Sequence, residues 1–534
     1  LALLSLKRKQ LLLLKWSVYF LRVTPFSKDS SYMIIDDIIA GIDVGGPKSY
    51  YSFETFVHHL FKHHIEKQNK IFQISEDRNR FGDAIAPNGF DSFEGPTLIE
   101  IKFNLATGSI KGLLNKLANQ FLNEYVENTF SNILVVSAKP IPNKVISRFE
   151  HELDRFQLPF KIIFWGPAEL NKIAAQHRKV VNTIANNLFS LRLEAAISKP
   201  PKNWKQEREE VVENLKDCYK KGQFSLLLGA GVSSSAGMPD WNTLLNSLFV
   251  TYLTQEFNGD VAIGDLDISE LVSRLNKIDE PSALMAARYL RKGLSKRDAE
   301  AKEFIAAVTK NLYKLRNSDR DIDSELIKSI ASMCLPRRTG AKVKTVITYN
   351  FDDLLERQLH KNTIHHSCIY TDNESYDPDE LPVYHVHGFL PEDRKGYEGL
   401  DNSTLVFSEE GYHQIYSDSY HWSNLVQLNS FRENNCLMIG LSMTDPNLRR
   451  LLDISSKNIE RSKHFSFMKR LSMEEFCYQD KKKVVENVDA AEKFLDRHHT
   501  LNEELMKELG VTIVWYESYD DIPEIINRIS QYEN

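Results

Sequence analysis

The stretch Ser225-Leu226-Leu227-Leu228, running directly into Gly229-Ala230-Gly231-Val232-Ser233-Ser234-Ser235-Ala236-Gly237, constrains this chain more than any other. A short apolar run that ends on glycines and then turns helical reads as strand, tight turn and helix start. Such a turn presents free backbone N–H groups to a phosphate. Glycine there lets a diphosphate approach where a Cβ would block it. The spacing is not G-x-G-x-x-G, so the turn alone fits an ordinary strand-to-helix connection as well as a nucleotide site. It lies within a long alternation of strand-like and helical segments, which points to α/β layers rather than a bundle or sandwich.

With 534 residues the chain has room for two to four domains at ~150 residues each. A net charge of −6 excludes a global positive field for nucleic acid, so any DNA contact must be local. Cys218, Cys334, Cys368, Cys436 and Cys477 form no C-x-x-C pair. This leaves neither a disulfide framework nor a zinc knuckle and suits a reducing cytoplasm. Residues 1–32 are Leu-rich but broken by Lys and Arg. Their apolar run Leu11–Val23 contains Lys15 and falls short of the ~20 residues of a membrane span. The expectation is an extension outside the fold, with the folded chain starting at Met33 and no membrane contact.

From Met33, helical spacing covers Phe53–Lys67, Ile110–Val126, Lys144–Leu153 and Val180–Ala196. Strand-like runs cover Arg80–Ala86, Thr97–Phe103, Ile133–Val136 and Phe160–Trp165. The segment Ser198-Lys199-Pro200-Pro201-Lys202 reads as a linker, because two prolines stop a helix and stiffen an exposed connection. The expected domains are therefore 33–197 and 204–534, joined by 198–203. Residues from about 264 to 336 are helical in composition and read as an insertion. The alternation ends with a strand at Val511–Trp515 and a helix from Ile522.

Three strand-like runs of the second domain end in polar clusters, where open α/β sheets place their ligands. Val343–Ile347 leads to Thr348-Tyr349-Asn350-Phe351-Asp352-Asp353, Val383–Val386 to His387-Gly388, and Cys436–Ile439 to Gly440-Leu441-Ser442-Met443-Thr444-Asp445. They should converge in space. The ordered set Gly-Ala-Gly-x-Ser, Gly-x-Pro-x-Trp (Gly237 to Trp241), Thr-x-Asn-x-Asp, His-Gly and Gly-x-Ser resembles the sirtuin family, in particular the sirtuin-like branch of bacterial defence proteins. The resemblance covers roughly Trp204 to the C-terminus. It implies a Rossmann-type domain that holds NAD and breaks the bond between nicotinamide and ribose.

On that resemblance Asn350 positions the ribose and an attacking water, and Asp352 engages the nicotinamide carboxamide or orders the pocket. His387 contacts a ribose hydroxyl as a general base, a role its near-neutral pKa permits. Gly229, Ala230, Gly231 and Ser233 face the diphosphate, with Gly237 and Thr348 in the same cofactor-binding set. Gly440 and Ser442 border the adenosine. Read without the resemblance, Asp352 caps the helix Asp353–His360. His385, two residues from His387 and so on the same strand side, competes with it as the functional histidine. The sirtuin deacylases carry a four-cysteine zinc ribbon that these cysteines cannot build. An NAD glycohydrolase with no zinc is thus expected ahead of a protein deacylase.

In the first domain, Asp83-Ala84-Ile85-Ala86 and Leu98-Ile99-Glu100-Ile101-Lys102 read as arms of a β-hairpin centred between Asp91 and Ser92. That centre sets Asp83 opposite Glu100, and the period of two puts Lys102 on the face of Glu100. Asp83 and Glu100 could chelate one Mg²⁺ while Lys102 polarises a water or phosphate. Asp91 is a rival for the first acid, and Asp77 lies close by. With its order of helices and strands, the segment resembles the PD-(D/E)xK nuclease fold of Mrr-type restriction enzymes, and Gln120 matches a position where some of these carry Gln. The combined expectation is an antiphage effector of the abortive-infection type. Its rival is a Mg²⁺-dependent DNA endonuclease regulated by a bound NAD-like nucleotide. An enzyme that destroys NAD must be held off in healthy cells, so a homo-oligomer or a hexameric ATPase partner is expected to switch it.

Overall fold

The computed structural model describes residues 34–75, 82–105, 130–154, 160–197, 203–248 apart from 242 and 246, 287, 302–372, 377–400, 403–457 apart from 404, 408 and 419, 459, 462–479 and 482–531. The extension 1–32, the linker residues 198–202, the expected helix Ile110–Val126 with Gln120, and Asp77 lie outside the described residues. Between Glu194 and Ala195 the chain divides into two units, each with its own sheet. Among the described residues no helix is long and apolar enough to cross a membrane.

The first unit holds a five-stranded sheet of β1 (Gln73–Ile74), β2 (Ala84–Ala86), β3 (Thr97–Lys102), β4 (Asn132–Ser137) and β5 (Lys161–Trp165), in that order. The pairs β1–β2 and β2–β3 are antiparallel, while β3–β4 and β4–β5 are parallel. Helix Gly46–Glu66 starts earlier than its apolar spacing suggests, because Pro47 occupies its first turn, where a missing N–H costs nothing. Its Phe53, Phe56, Leu60 and Phe61 are fully buried in one cluster with Ile99, Ile101 and Leu134 of the sheet. The single helix expected over Val180–Ala196 is two, Arg178–Asn186 and Leu188–Ile197. Asn187 separates them: its Nδ2 donates to the Thr183 carbonyl at 2.8 Å, a local bond that competes with the helical ladder.

The second unit is built on seven parallel strands. They are β6 (Phe224–Leu228), β7 (Val343–Thr348), β8 (His366–Ile369), β9 (Leu381–His385), β10 (Asn435–Ile439), β11 (His464–Lys469) and β14 (Val511–Tyr516). Their order is β14-β11-β10-β6-β7-β9-β8. A separate small ribbon joins β12 (Tyr478–Gln479) and β13 (Lys482–Lys483). Both faces of the large sheet are covered, as all-parallel sheets require. Leu226, Leu228, Val346, Val383, Leu437 and Ile439 enter one buried cluster, and Leu227, Ile347, Cys436, Met438 and Ile513 enter the other. The chain builds outward from β6 through β7, β8 and β9, then returns to lay β10 on the other flank of β6. The strand order therefore reverses beside β6, the place where doubly wound sheets open a crevice. Within 264–336 the described helices are Lys302–Lys314 and Glu325–Met333.

The first residue of β11, His464, is 1% exposed, and its Nδ1 accepts the Cys436 N–H at 3.3 Å. Burial, helped by neighbouring Lys463, holds its pKa down at about 3, so the ring is neutral in the fold. An unfolded histidine titrates near ~6.5, so the stabilisation is complete above that pH and is lost as pH falls towards 3. Urea midpoints should drop between pH 6.5 and 4, and His464→Asn should flatten that dependence.

Candidate functional site

The strand register sets the frame. Ile439 of β10 pairs with Leu228 of β6, Leu228 with Thr348 of β7, and Thr348 with His385 of β9. Four adjacent strands thus end on one row, and the glycine turn, the Asn350 loop, the His387 turn and the Gly440 loop all leave from it. Backbone bonds tie the row together: Gly229 N–H to the Ile439 carbonyl at 2.9 Å, Tyr349 N–H to Leu228 at 2.9 Å, and Val386 N–H to Thr348 at 3.1 Å.

The glycine turn makes a backbone contact that its sequence alone does not show. The N–H groups of Gly229 and Gly231 are not free, since they donate to the carbonyls of Ile439 and Gly440, each at 2.9 Å. A Cβ on Gly229 would lie 2.6 Å from the Gly440 oxygen, and one on Gly231 would lie 2.8 Å from the Gly440 Cα. Gly440 itself has φ of 68° and faces Val232 N and Gly231 across the same gap. These glycines let two backbones touch. Gly237, with φ of 88°, does the same against the 317 loop, accepting the Asn317 N–H at 2.8 Å. Ala230, exposed at the helix start, is not drawn into the seam.

Beside this seam, Asn350 donates from Nδ2 to the Gly229 carbonyl at 3.0 Å, and its N–H is held by the Thr348 hydroxyl at 3.1 Å. Leu228, Val232, Ser233, Thr348, Asn350, Asp352 and Glu356 help line a narrow crevice with a cavity volume of about 10 Å³. That is room for no more than about one water, far below the ~300–1,000 Å³ of most small-molecule sites. The Asp352 carboxylate accepts the Leu354 N–H at 3.3 Å, so it does support the start of helix Leu354–Lys361. Burial raises its pKa to about 6, against an opposing hydrogen bond from Ser233 that links the glycine turn to this loop.

His387 is brought to the neighbouring strand end but is not in the crevice wall. Its ring meets Tyr349 edge-on at 4.8 Å and Tyr412 at 5.8 Å. Its Nε2 is buried without a hydrogen-bond partner, 3.9 Å from an Asp445 oxygen. Burial lowers its pKa and Asp445 opposes that, so the ring is poised as a neutral base. The same-side expectation for His385 and His387 does not hold. The strand stops at His385, and Gly388 at φ 107° turns the chain, so the two rings meet different neighbours. His385 packs inward against Phe389 and Glu356. Among the described residues, Ser442 bonds to its own loop, through Thr444, at 2.6 Å.

Two contributors carried no assigned role in the sequence reading. Asp445 caps helix Pro446–Ser456 through Oδ1 and accepts the Tyr412 hydroxyl on Oδ2 at 2.5 Å, the same oxygen that neighbours His387. Its Asp-Pro pair signals only a cap. Tyr412, from helix Glu409–Ser417, has no motif at all.

In the first unit the expected hairpin register holds from Ala84↔Ile99 to Ala86↔Thr97 and then slips, as the Asp83 N–H returns to the Ile99 carbonyl at 2.8 Å. Asp83 therefore sits one step off the position facing Glu100 and accepts the Ile101 N–H at 2.6 Å. Glu100 accepts the Gly82 N–H at 2.7 Å and the Lys102 ammonium at 2.5 Å. All three side chains are buried, and burial first, then Asp83, raises the Glu100 pKa. Asp91 lies elsewhere, 3.4 Å from His64.

Residues 344–488 match the SIR2-like domain family. The match takes in Thr348, Asn350, Asp352, His387, Gly440 and Ser442 and begins after the glycine turn. The chain is also 22% identical over 332 residues to the NAD(+) hydrolase ThsA of Enterococcus faecium. That likeness covers 60% of this chain and 58% of the relative's length.

The seam between the two turns yields a test. Gly231→Ala forces a methyl into the Gly440 backbone and should cost ~1–3 kcal/mol, read as a lowered urea midpoint, while Ala230→Ser should leave it unchanged.

Proposed function

We propose that residues 204–534 form an NAD glycohydrolase, converting NAD and water to ADP-ribose and nicotinamide, and that the protein acts in antiphage defence. The observation that supports this most is the level row of strand ends, which sends Asn350 and His387 out from register partners Thr348 and His385. Loss of nicotinamide leaves positive charge on the ribose, so the reaction gains from groups that fix the sugar and hold a water on its open face. In this reading the ribose lies over the row. Asn350, fixed by Gly229, orients it from the crevice side, and His387, neutral and with a free Nε2, takes a proton from water or a ribose hydroxyl on the other side. Asp352 orders the crevice through Ser233 and takes the nicotinamide end. Ala230, Gly237, Thr348, Gly440 and Ser442 remain the proposed cofactor surround. The dinucleotide lies over the mouth of the crevice, whose cavity of about 10 Å³ has room for no more than about one water. The ThsA likeness supports the choice of NAD and of a defence role. A cytoplasmic location, self-association and control by a hexameric ATPase complete the proposal. A deacylase is less favoured, because the five cysteines form no disulfide and stand on separate segments.

A second reading concerns the first unit, where buried Asp83, Glu100 and Lys102 lie together in a pattern similar to nuclease sites. Residues 33–197 would then bind Mg²⁺ at Asp83 and Glu100, with Lys102 swinging off Glu100 to meet a DNA phosphate and Gln120 assisting. On this reading NAD only regulates.

Purified protein should consume NAD, and Asn350→Ala or His387→Ala should each slow it by ~10²-fold or more. The acid limb of kcat should fall below pH 6.5, since burial lowers the His387 pKa and the neutral ring is the active form. Wild-type-like consumption by either variant refutes the assignment. Separately, supercoiled plasmid with Mg²⁺ or Mn²⁺ tests the second reading: cutting that Glu100→Ala abolishes supports it, and no cutting by the wild type removes it.

A further inference from the structure

Behind the Asn350 loop lies a cluster to which the NAD reading gives no role, although one member, Glu356, also borders the crevice. Glu356 comes from helix Leu354–Lys361, Cys368 from β8 and His385 from the end of β9, and one ligand atom of each lies within 4.8 Å of the other two. Among the described residues no other such group of three occurs. His385 is 0% and Glu356 3% exposed. We propose that Glu356, Cys368 and His385 bind a zinc ion, and that this metal fixes the loop carrying Asn350.

The hydrogen bonding of His385 carries the argument. Its Nδ1 is 3.2 Å from the Asn350 carbonyl, which can only accept, so Nδ1 bears a hydrogen. In the neutral ring Nε2 is then a bare lone pair, aimed at Glu356 Oε1 at 2.7 Å. Two lone pairs cannot face each other at that distance. A cation must stand between them, and the cluster offers a proton or a metal as the choices. A ring whose far nitrogen donates to a backbone carbonyl while the near one meets a carboxylate and a thiol is the usual setting of a metal-bound histidine.

The donor set selects the ion. Nitrogen, sulfur and carboxylate oxygen together suit Zn²⁺ and disfavour Mg²⁺ or Ca²⁺. With bonds of ~2.0–2.3 Å, tetrahedral zinc keeps its ligand atoms ~3.3–3.8 Å apart, so the three atoms need only sub-ångström shifts. Charge balances as well. A thiolate and a carboxylate neutralise Zn²⁺, which removes the penalty of burying a lone ion. Binding releases the Cys368 thiol proton and the proton between Glu356 and His385, two in all, to solvent. No electron moves. The mechanical consequence runs through His385: the metal holds the ring, and the ring holds the Asn350 carbonyl. The inference does not depend on NAD cleavage.

Full-length protein purified from zinc-supplemented cells without chelator should carry about one zinc per chain by plasma mass spectrometry. Replacing zinc with Co²⁺ should give a sulfur-to-cobalt charge-transfer band. Cys368→Ser and His385→Ala should each lose at least ~90% of the metal, and Cys368→Ser, nearly isosteric, guards against simple misfolding. Cys218→Ser, at a thiol outside the cluster on helix Trp204–Lys221, should keep it. A folded wild-type chain with less than about one tenth of an equivalent of metal, and no band on Co²⁺ titration, would mean that a proton bridges Glu356 and His385, overturning the proposal. Equal zinc in wild type and Cys368→Ser would overturn it too.

Discussion

The contact of two backbones, Gly229–Gly231 against Ile439–Gly440, governs everything around it. At a strand-order reversal two loops must leave neighbouring strands in opposite directions, and here they part only after touching. Because neither carries a Cβ at the contact, the two turns close on each other. The carbonyl of Gly229 is then left to receive Asn350, and the Ser233 hydroxyl to receive Asp352. The polar groups of the site are thus organised by a packing constraint of main chain on main chain.

Much of this was legible in the sequence. Apolar runs ending in glycine or a polar cluster located β6, β7, β9 and β10 to within about two residues, because buried parallel strands have little freedom in composition. The convergence of the Asn350, His387 and Gly440 loops followed from their places at strand ends. Other features were not legible. β8 is short, half-buried and begins with His366, so it leaves no apolar run to detect. The partners of the Gly229 and Gly231 amides depend on a loop two hundred residues away. The split at Asn187 turns on one side-chain bond to Thr183 that competes with the helix.

The histidines show most clearly where local reasoning ends. A period of two holds only while the strand lasts, and β9 stops at His385. One residue of overrun sends His387 towards Tyr349 and Tyr412, while His385 turns into the interior beside Glu356. Likewise the Asp83 carboxylate departs from its expected place because a single register slip precedes it. In both, the identity of the residue was informative and its direction was set by how the element ended.

Asp445 joins three elements with one carboxylate: the helix that follows it, the hydroxyl of Tyr412 and the neighbourhood of the His387 ring. Rotation of helix Pro446–Ser456 by a fraction of a turn would carry that carboxylate away from the imidazole and release the tyrosine together with it. The rigid end of a helix is thereby geared to the surroundings of a histidine, so a force on the outer surface of that helix has a mechanical route to the buried imidazole.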